Sequence, residues 1–428
     1  MKSLVSLIGI FSLLFLLVSG CKIKEQEEEP PVSDTPPSLS ITSPQLQEDE
    51  TLCGVVEITA DAQGADGKQI ARVEFYLDDQ LLPGGTDTTP PYSADWDTAA
   101  VQVTAHTIKV IAYDSEDYSA EVSLGVNVWC GVKKTPMPTQ RYYFSSNAVN
   151  GKIYVIGGYN PAANSSSVDS AAEVEPVFNV VEEYDPAVDQ WTAKTPMPGT
   201  GRAAHGSCVI DGKIYIFGGD RGHEWVPGVE EYDPKTDSWA AKTPIPQDEG
   251  LGIGMLTCSA VNGKAYTFGG LGAENGTAVG EYNPVRDKWK VKAPMPRARY
   301  SCTGSAVAGK IYLMGGCPER ASYNCANPIA LVDVYEPSGD YWTTMPALMP
   351  TPRFALSSGV LAGKIFTFGG VNEQPDGLPT IDEYDYSTDQ WTPRLPMPTG
   401  QREFGISVVS GKIYIIGSKV YEYTPQMP

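Results

Sequence analysis

A Gly-Lys pair recurs six times along the chain, at Gly151-Lys152, Gly212-Lys213, Gly263-Lys264, Gly309-Lys310, Gly363-Lys364 and Gly411-Lys412. Successive pairs are 46 to 61 residues apart. A period in this range marks one supersecondary unit copied in series, and such units bury their apolar faces against one another. Each pair opens an apolar run that reaches glycine six residues on. That glycine is doubled in five copies, at Gly157-Gly158, Gly218-Gly219, Gly269-Gly270, Gly315-Gly316 and Gly369-Gly370, and reads Gly417-Ser418 in the sixth. Five copies then carry a Tyr and, seven residues later, a Trp: Tyr184 and Trp191, Tyr232 and Trp239, Tyr282 and Trp289, Tyr335 and Trp342, Tyr384 and Trp391. Three spacings that hold together within one chain need a structural cause.

With 43 Gly and 35 Pro, the runs are short and separated by turns, which favours strands over long helices. Each copy predicts four antiparallel strands: one before Gly-Lys, one from Gly-Lys to the double glycine, and two marked by Tyr and Trp. Large aromatics fill the wedge between adjacent sheets. This pattern resembles the kelch repeat over residues 129–428, which implies a six-bladed β-propeller. The sixth copy lacks a Trp-bearing strand. Trp129 followed by Thr135-Pro136-Met137-Pro138 matches Trp191 followed by Thr195-Pro196-Met197-Pro198, so the start of the array is expected to complete the last blade and remove an exposed edge. Trp129 stands two residues further from its Pro-Met-Pro than Trp191 does, and a place in the preceding segment alone is the alternative. The loop from Tyr159 to Asn179 is the longest after a double glycine and is expected to be the most mobile.

Residues 38–128 alternate apolar and polar positions at Val55–Ala60, Ala71–Leu77, Tyr92–Trp96, His106–Tyr113 and Ala120–Val128, between turn signals. That spacing predicts an antiparallel sandwich. The stretches 71–78, 91–97 and 106–114 resemble bacterial immunoglobulin-like modules, which implies a spacer or adhesive unit. The fold class is therefore all-β: an immunoglobulin-like β-sandwich followed by a six-bladed kelch propeller. Asp61, Asp66, Asp78 and Asp79 lack regular calcium-ligand spacing and read as solvated loop acids.

At the N-terminus Lys2 precedes an apolar run from Leu4 to Val18, too short to span a bilayer comfortably, which reads as a signal peptide over residues 1–20. Cys21 directly after it resembles the bacterial lipobox. The resemblance implies cleavage before Cys21, acylation there with chains such as palmitate, and a membrane anchor. Lys22, where enteric inner-membrane lipoproteins carry Asp, favours the outer membrane or cell surface of the bacterial envelope. Residues 21–37 are rich in Glu and Pro, cannot bury apolar surface, and form a tether.

The 52 Asp and Glu against 31 Lys and Arg leave a net charge of -21, which excludes nucleic acid as a partner. Among the cysteines, Cys317 and Cys325 share one loop, and Cys53 and Cys130 flank the sandwich; both pairs are disulfide candidates in an oxidising compartment. Cys208, Cys258 and Cys302 fall in first strands, as small inward-facing residues. No triad order, zinc spacing or phosphate loop is present, and the sequence calls for no metal and no cofactor. Copper radical oxidases also join a kelch propeller to immunoglobulin-like domains, but their ligand set is not supplied by His205 and His223.

Arg141, Arg202, Arg299 and Arg353 each stand ten residues before the Gly of Gly-Lys, and Arg402 nine before it. Two readings stay open: a structural arginine of the kelch pattern, or a ligand-binding ring at the channel mouth, where Tyr143, His205 and Glu403 vary between blades. The ring would favour anionic ligands. The function read from the sequence is a non-catalytic surface lipoprotein binding a glycan or protein partner through the propeller loop face. The alternatives are a sugar-modifying enzyme resembling the kelch-type sialic-acid mutarotases, with Glu403 as its proton-transfer group, and a structural envelope scaffold.

Overall fold

The computed structural model describes residues 35–46, 52–98, 105–129, 131–159, 177–222, 224–272, 276–319, 325–372, 377–394 and 396–425. Cys21, Cys130, His223 and most of the Tyr159–Asn179 loop lie outside them.

The N-terminal sandwich packs a three-stranded sheet (Ser38–Ser43, Val55–Gln63, Tyr92–Asp97) against a four-stranded one ordered Gln80–Asp87, Ile70–Leu77, Ala105–Asp114 and Ser119–Asn127. Its strand ladders are all antiparallel, with one isolated parallel bridge between Leu52 and Val128. Alternation places Ile58, Phe75, Trp96, Ile108 and Val110 inward as one core. Two of the seven strands are not among the alternating stretches. Gln80–Asp87 carries Pro83, Gly84 and Gly85 and reads as a turn, yet it pairs with Ile70–Leu77 through a register shift. A Cβ at Gly85 would lie 2.7 Å from the Phe75 carbonyl, so glycine there permits the close approach.

Six four-stranded antiparallel blades follow. In the first, Ser145–Val149, Lys152–Ile156, Val181–Asp185 and Gln190–Lys194 pair in chain order. The next four span 206–242, 257–291, 303–344 and 357–394. The second strands are buried along their whole length after the Lys. First strands of neighbouring blades touch one another all the way round, so they line the central channel.

The sixth blade is completed from the other end of the array. Gly131–Lys134 pairs antiparallel with Val420–Tyr423, with Gly131 opposite Tyr423. In the other blades the residue opposite that Tyr is the repeat Trp, as in Tyr184 opposite Trp191. Gly131 thus occupies the Trp position, and the ring of Trp129 folds back over it. A Cβ on Gly131 would overlap the indole, which lies edge-on to Tyr421 at 4.8 Å and stacks on Tyr423 at 6.1 Å. The two-residue offset of Trp129 is explained by this substitution of a ring from the neighbouring residues for a ring on the strand.

Between blades, one latch repeats. Tyr232 Oη donates to Asp237 (2.6 Å), the same carboxylate oxygen accepts the Thr195 N–H of the preceding blade (2.9 Å), and Trp239 Nε1 donates to the Thr195 carbonyl (3.0 Å). The Tyr–Asp bond recurs at Tyr184–Asp189, Tyr282–Asp287, Tyr335–Asp340 and Tyr384–Asp389. The acid lies five residues after each Tyr, in the left-handed region, with φ near +50° to +55°.

Candidate functional site

The residue just before each inner strand adopts the same strained backbone. Tyr143, Ala204, Met255, Ser301, Ala355 and Glu403 all have φ between +50° and +57°. Their peptides are linked blade to blade at five of the six steps around the channel: Ala204 N–H to the Tyr143 carbonyl (2.9 Å), Met255 to Ala204 (2.9 Å), Ala355 to Ser301 (2.8 Å), Glu403 to Ala355 (3.4 Å) and Tyr143 to Glu403 (3.3 Å). Six non-glycine residues held at positive φ cost energy at every position, and only the surrounding structure maintains them. The backbone is therefore constant while the side chain it presents at the mouth changes from blade to blade.

Below this ring lies a cavity of about 260 Å3. Its wall is rich in hydroxyls, and these make hydrogen bonds across blades: Thr303 with Ser358 (2.7 Å), Ser146 with Ser407 (2.7 Å), and Ser207 donating to the Asn147 amide oxygen (3.0 Å). Tyr143, His205 and Glu403 all reach it. Tyr143 Oη donates to Glu403 at 2.5 Å, joining blade one to blade six. Burial pushes the Glu403 carboxyl above the usual carboxylate range, against the downward pull of the Tyr143 hydroxyl and the Arg402 charge. His205 is buried, and desolvation together with the nearby Arg202 charge pushes it down to about 3, so it stays neutral. Cys258 and Cys302 also reach the cavity, and burial pushes both thiols up.

The arginines are placed differently from a ligand-binding ring. Arg202, Arg299 and Arg353 are fully buried and Arg141 is 2% exposed. Each is ion-paired within its own blade: Arg141 with Glu182 (2.6 Å), Arg202 with Glu230, Arg299 with Asp333 (2.6 Å) and Arg353 with Asp382 (2.7 Å). Other Nη donors reach nearby acceptors, as in Arg141 to the Thr139 and Val155 carbonyls, Arg299 to Gly315 and Leu331, and Arg353 to the Thr367 hydroxyl, while the Nε of each is buried without a hydrogen-bond partner among the described residues. These four side chains tie the connection before each first strand to the third strand of the same blade, and their charge is met there by a carboxylate. Of the two readings left open by the sequence, the geometry matches the structural one.

Arg402 is a separate case, because by register Gln401 holds the arginine position of blade six. Gln401 precedes the positive-φ residue Glu403 by two, as Arg141 precedes Tyr143. Arg402 is exposed and makes no ion pair with any described carboxylate. The acidic partners were missed from the sequence, although a signal exists. An acid two residues before the repeat Tyr accompanies each buried Arg (Glu182, Glu230, Asp333, Asp382), whereas blade three has Ile253 with Gly280 and blade six has Gln401 with Tyr421. Arginine and acid are present or lost together.

A second cavity, of about 450 Å3, opens between blades six and one and shares Tyr143, Glu403 and Phe404 with the first. It exists because the second and third strands of blade six are joined by residues 417–419 alone, against 157–180, 218–228, 269–278, 315–331 and 369–380 in the other blades. The Gly417 position is occupied closely by the Gln401 amide, 2.4 Å from where a Cβ would be.

Cys317 and Cys325 are joined by a disulfide, and Cys53 is also disulfide-bonded. Cys208, Cys258 and Cys302 are free thiols. Among the described residues no group of three or more His, Cys, Asp or Glu could hold a metal ion, and no helix is long and apolar enough to cross a membrane.

The folds together define an immunoglobulin-like sandwich joined to a six-bladed propeller. Residues 37–110 match the family described as a bacterial Ig domain, and residues 140–198, 201–244 and 352–398 match the Kelch motif. The chain is a kelch-repeat protein with an N-terminal bacterial immunoglobulin-like domain. It is 28% identical over 299 residues to Kelch-like protein 34 of Homo sapiens, covering 69% of this chain and 37% of that one. It is 27% identical over 286 residues to Kelch-like protein terF of Aspergillus terreus, covering 64% and 60% respectively. The chain thus spans less than two thirds of the length of these relatives. Among solved structures, "Structure of YjhT" aligns with a TM-score of 0.54 at 17% identity, over 68% of this chain and 95% of that chain, which establishes likeness of fold. Kelch repeats build propellers that bind proteins or other ligands, and the immunoglobulin-like match is to a bacterial family.

Proposed function

We propose that this protein is a non-catalytic surface lipoprotein of a bacterial envelope, anchored through Cys21, whose tether and sandwich carry the propeller outward so that its loop face binds a glycan. The observation that carries this reading is the ring of six positive-φ residues. One backbone is repeated six times, and it presents Tyr143, Ala204, Met255, Ser301, Ala355 and Glu403 above a hydroxyl-lined cavity. Variation of side chain on a fixed scaffold is how a propeller acquires selectivity. The test is retention of the soluble form beginning at Lys22 on a glycan array, alongside the isolated propeller face blocked by an antibody fragment. Binding that survives the block opposes the reading. The anchor is tested separately by metabolic labelling with an alkynyl palmitate, which Cys21→Ala should abolish.

One observation favours a second reading, a sugar-modifying enzyme. Glu403 is a largely buried carboxyl with a raised pKa, 2.5 Å from a tyrosine hydroxyl at the mouth of a cavity, which suits a proton-transfer group. Accelerated anomer exchange of a free sugar by the wild type, lost in Glu403→Gln, would replace the non-catalytic reading.

A further inference from the structure

The geometry points to a neutral polyhydroxylated sugar residue as the ligand, seated in the notch between blades six and one and reaching the Tyr143–Glu403 pair. This rests on the glycan-binding reading above and names its site and substrate class. Three observations carry it.

First, a short loop borders the notch. Residues 417–419 make the shortest of the six connections between second and third strands, and beside them the described residues line a space of about 450 Å3 that shares Tyr143, Glu403 and Phe404 with the channel cavity. That volume is within the range of small-ligand sites. The corresponding connections of the other five blades are longer in sequence.

Second, its lining joins aromatic faces to planar polar groups. Tyr142 is 43% exposed, a large ring left in solvent, and Tyr159 lies across the antiparallel bridge from it. Arg402 and Glu403 are consecutive, one exposed and one largely buried, and both line the same space. A sugar presents an apolar face of C–H groups and an edge of vicinal hydroxyls. The first suits a tyrosine ring, and the second suits a guanidinium that donates and a carboxylate that accepts.

Third, the charges balance. Arg141, which also lines the notch, is consumed by Glu182 at 2.6 Å, and Arg402, which makes no ion pair among the described residues, lines the same space as the Glu403 carboxyl and pulls its pKa down. The other three conserved-register arginines are buried and paired with acids in their own blades. Among the described residues, the one unpaired cation of the notch is accompanied by one carboxyl, so no cluster of free cations is left there for an acidic sugar. Neutral hydroxyls can accept from the exposed Arg402 guanidinium and donate to the Glu403 carboxyl without adding a charge to the space.

The test is an array of neutral, uronic-acid-containing and sulfated oligosaccharides, probed with the soluble chain from Lys22, followed by titration of the strongest binder at low and high salt. Variants Tyr142→Ala and Glu403→Gln are compared with Val285→Ser, a control in the turn of blade three on the opposite face, where Val285 is 88% exposed. Tyr142 is exposed enough that its truncation should leave the fold intact, which circular dichroism verifies. The expected result is retention of a neutral oligosaccharide, with a dissociation constant that changes less than about twofold with salt because no net charge is neutralised. Each site variant should weaken it by about tenfold or more, and the control should not. Retention of uronic or sulfated glycans with steep salt dependence would overturn the ligand class and leave glycan binding standing. A neutral glycan bound equally by wild type and both variants would overturn the notch as the site, again leaving the broader reading. Retention of no glycan would overturn both.

Discussion

Replacing Arg141 with Ile tests whether the buried arginines are braces. The side chain is 2% exposed and holds Glu182 at 2.6 Å, and Glu182 is itself 5% exposed. Burial pulls the Arg141 pKa down from its ordinary value and the Glu182 charge pulls it back, the balance of desolvation against pairing that such a buried pair must strike. Without the guanidinium, Glu182 keeps only the Thr139 hydroxyl at 2.8 Å. Removing one partner of a buried pair typically costs about 3–5 kcal/mol. The chain supplies the control, because blade three uses Ile253 and Gly280 at these two positions. The double variant Arg141→Ile, Glu182→Gly should therefore lose only about 1–2 kcal/mol, made up of strand glycine entropy and lost packing. Urea unfolding followed by near-ultraviolet circular dichroism would measure the cycle, with Glu182→Gly as the fourth corner. A single-variant loss below about 1 kcal/mol, or costs that simply add in the double variant, would show that the pair is not a coupled brace.

Glu403→Gln should stabilise the propeller at pH 7.5. The folded pKa of Glu403 is raised by burial above its ordinary 4.5, so the folded state holds the proton more tightly than the unfolded state, and ionisation above the folded pKa costs stability. The gain in melting temperature should vanish below about pH 4.5. The latch carboxylates behave in the opposite sense: against the upward push of burial, the Tyr232 hydroxyl and Thr195 N–H hold Asp237 below its ordinary 3.8, and Asp189, Asp287 and Asp340 are lowered in the same way. Stability from the latches is complete above the unfolded pKa and falls as pH drops through the folded values, so the wild type should lose stability progressively below about pH 4, and Asp237→Asn should flatten that slope in acid-unfolding curves. Cys302 should resist alkylation by iodoacetamide at pH 8 in the native protein, since burial raises its thiol pKa, and should react quickly once urea unfolds the chain.

The blades were legible because their determinants are local. Gly-Lys turns, double glycines and the Tyr–Trp spacing each act within a few residues, and the structure places Gly157 with φ +67° against the Arg202 carbonyl, where a Cβ would lie 2.4 Å away. The closing strand was legible for the same reason, since residues 134–138 repeat the Lys-Thr-Pro-Met-Pro of 194–198. Trp129 could not be placed from spacing alone, because its role depends on Gly131 leaving room for a ring from outside the strand. The arginines show why sites are harder to read than folds. Their spacing gives position along the chain but not the partner 28 to 41 residues away that buries their charge. Tyr143, His205 and Glu403 do meet at one cavity. The notch beside them arises from a loop that is short, and a missing loop leaves no motif.

Hydrogen exchange of the soluble chain with and without its strongest array glycan tests the central claim most directly, because it reports where the ligand sits without altering any residue. Peptides covering 141–146, 400–406 and 414–420, the segments that meet at the seam of blades six and one, should gain protection, while those of the sandwich between residues 52 and 98 stay unchanged. Protection confined to the sandwich, with none at the seam, would contradict a propeller that binds through its loop face.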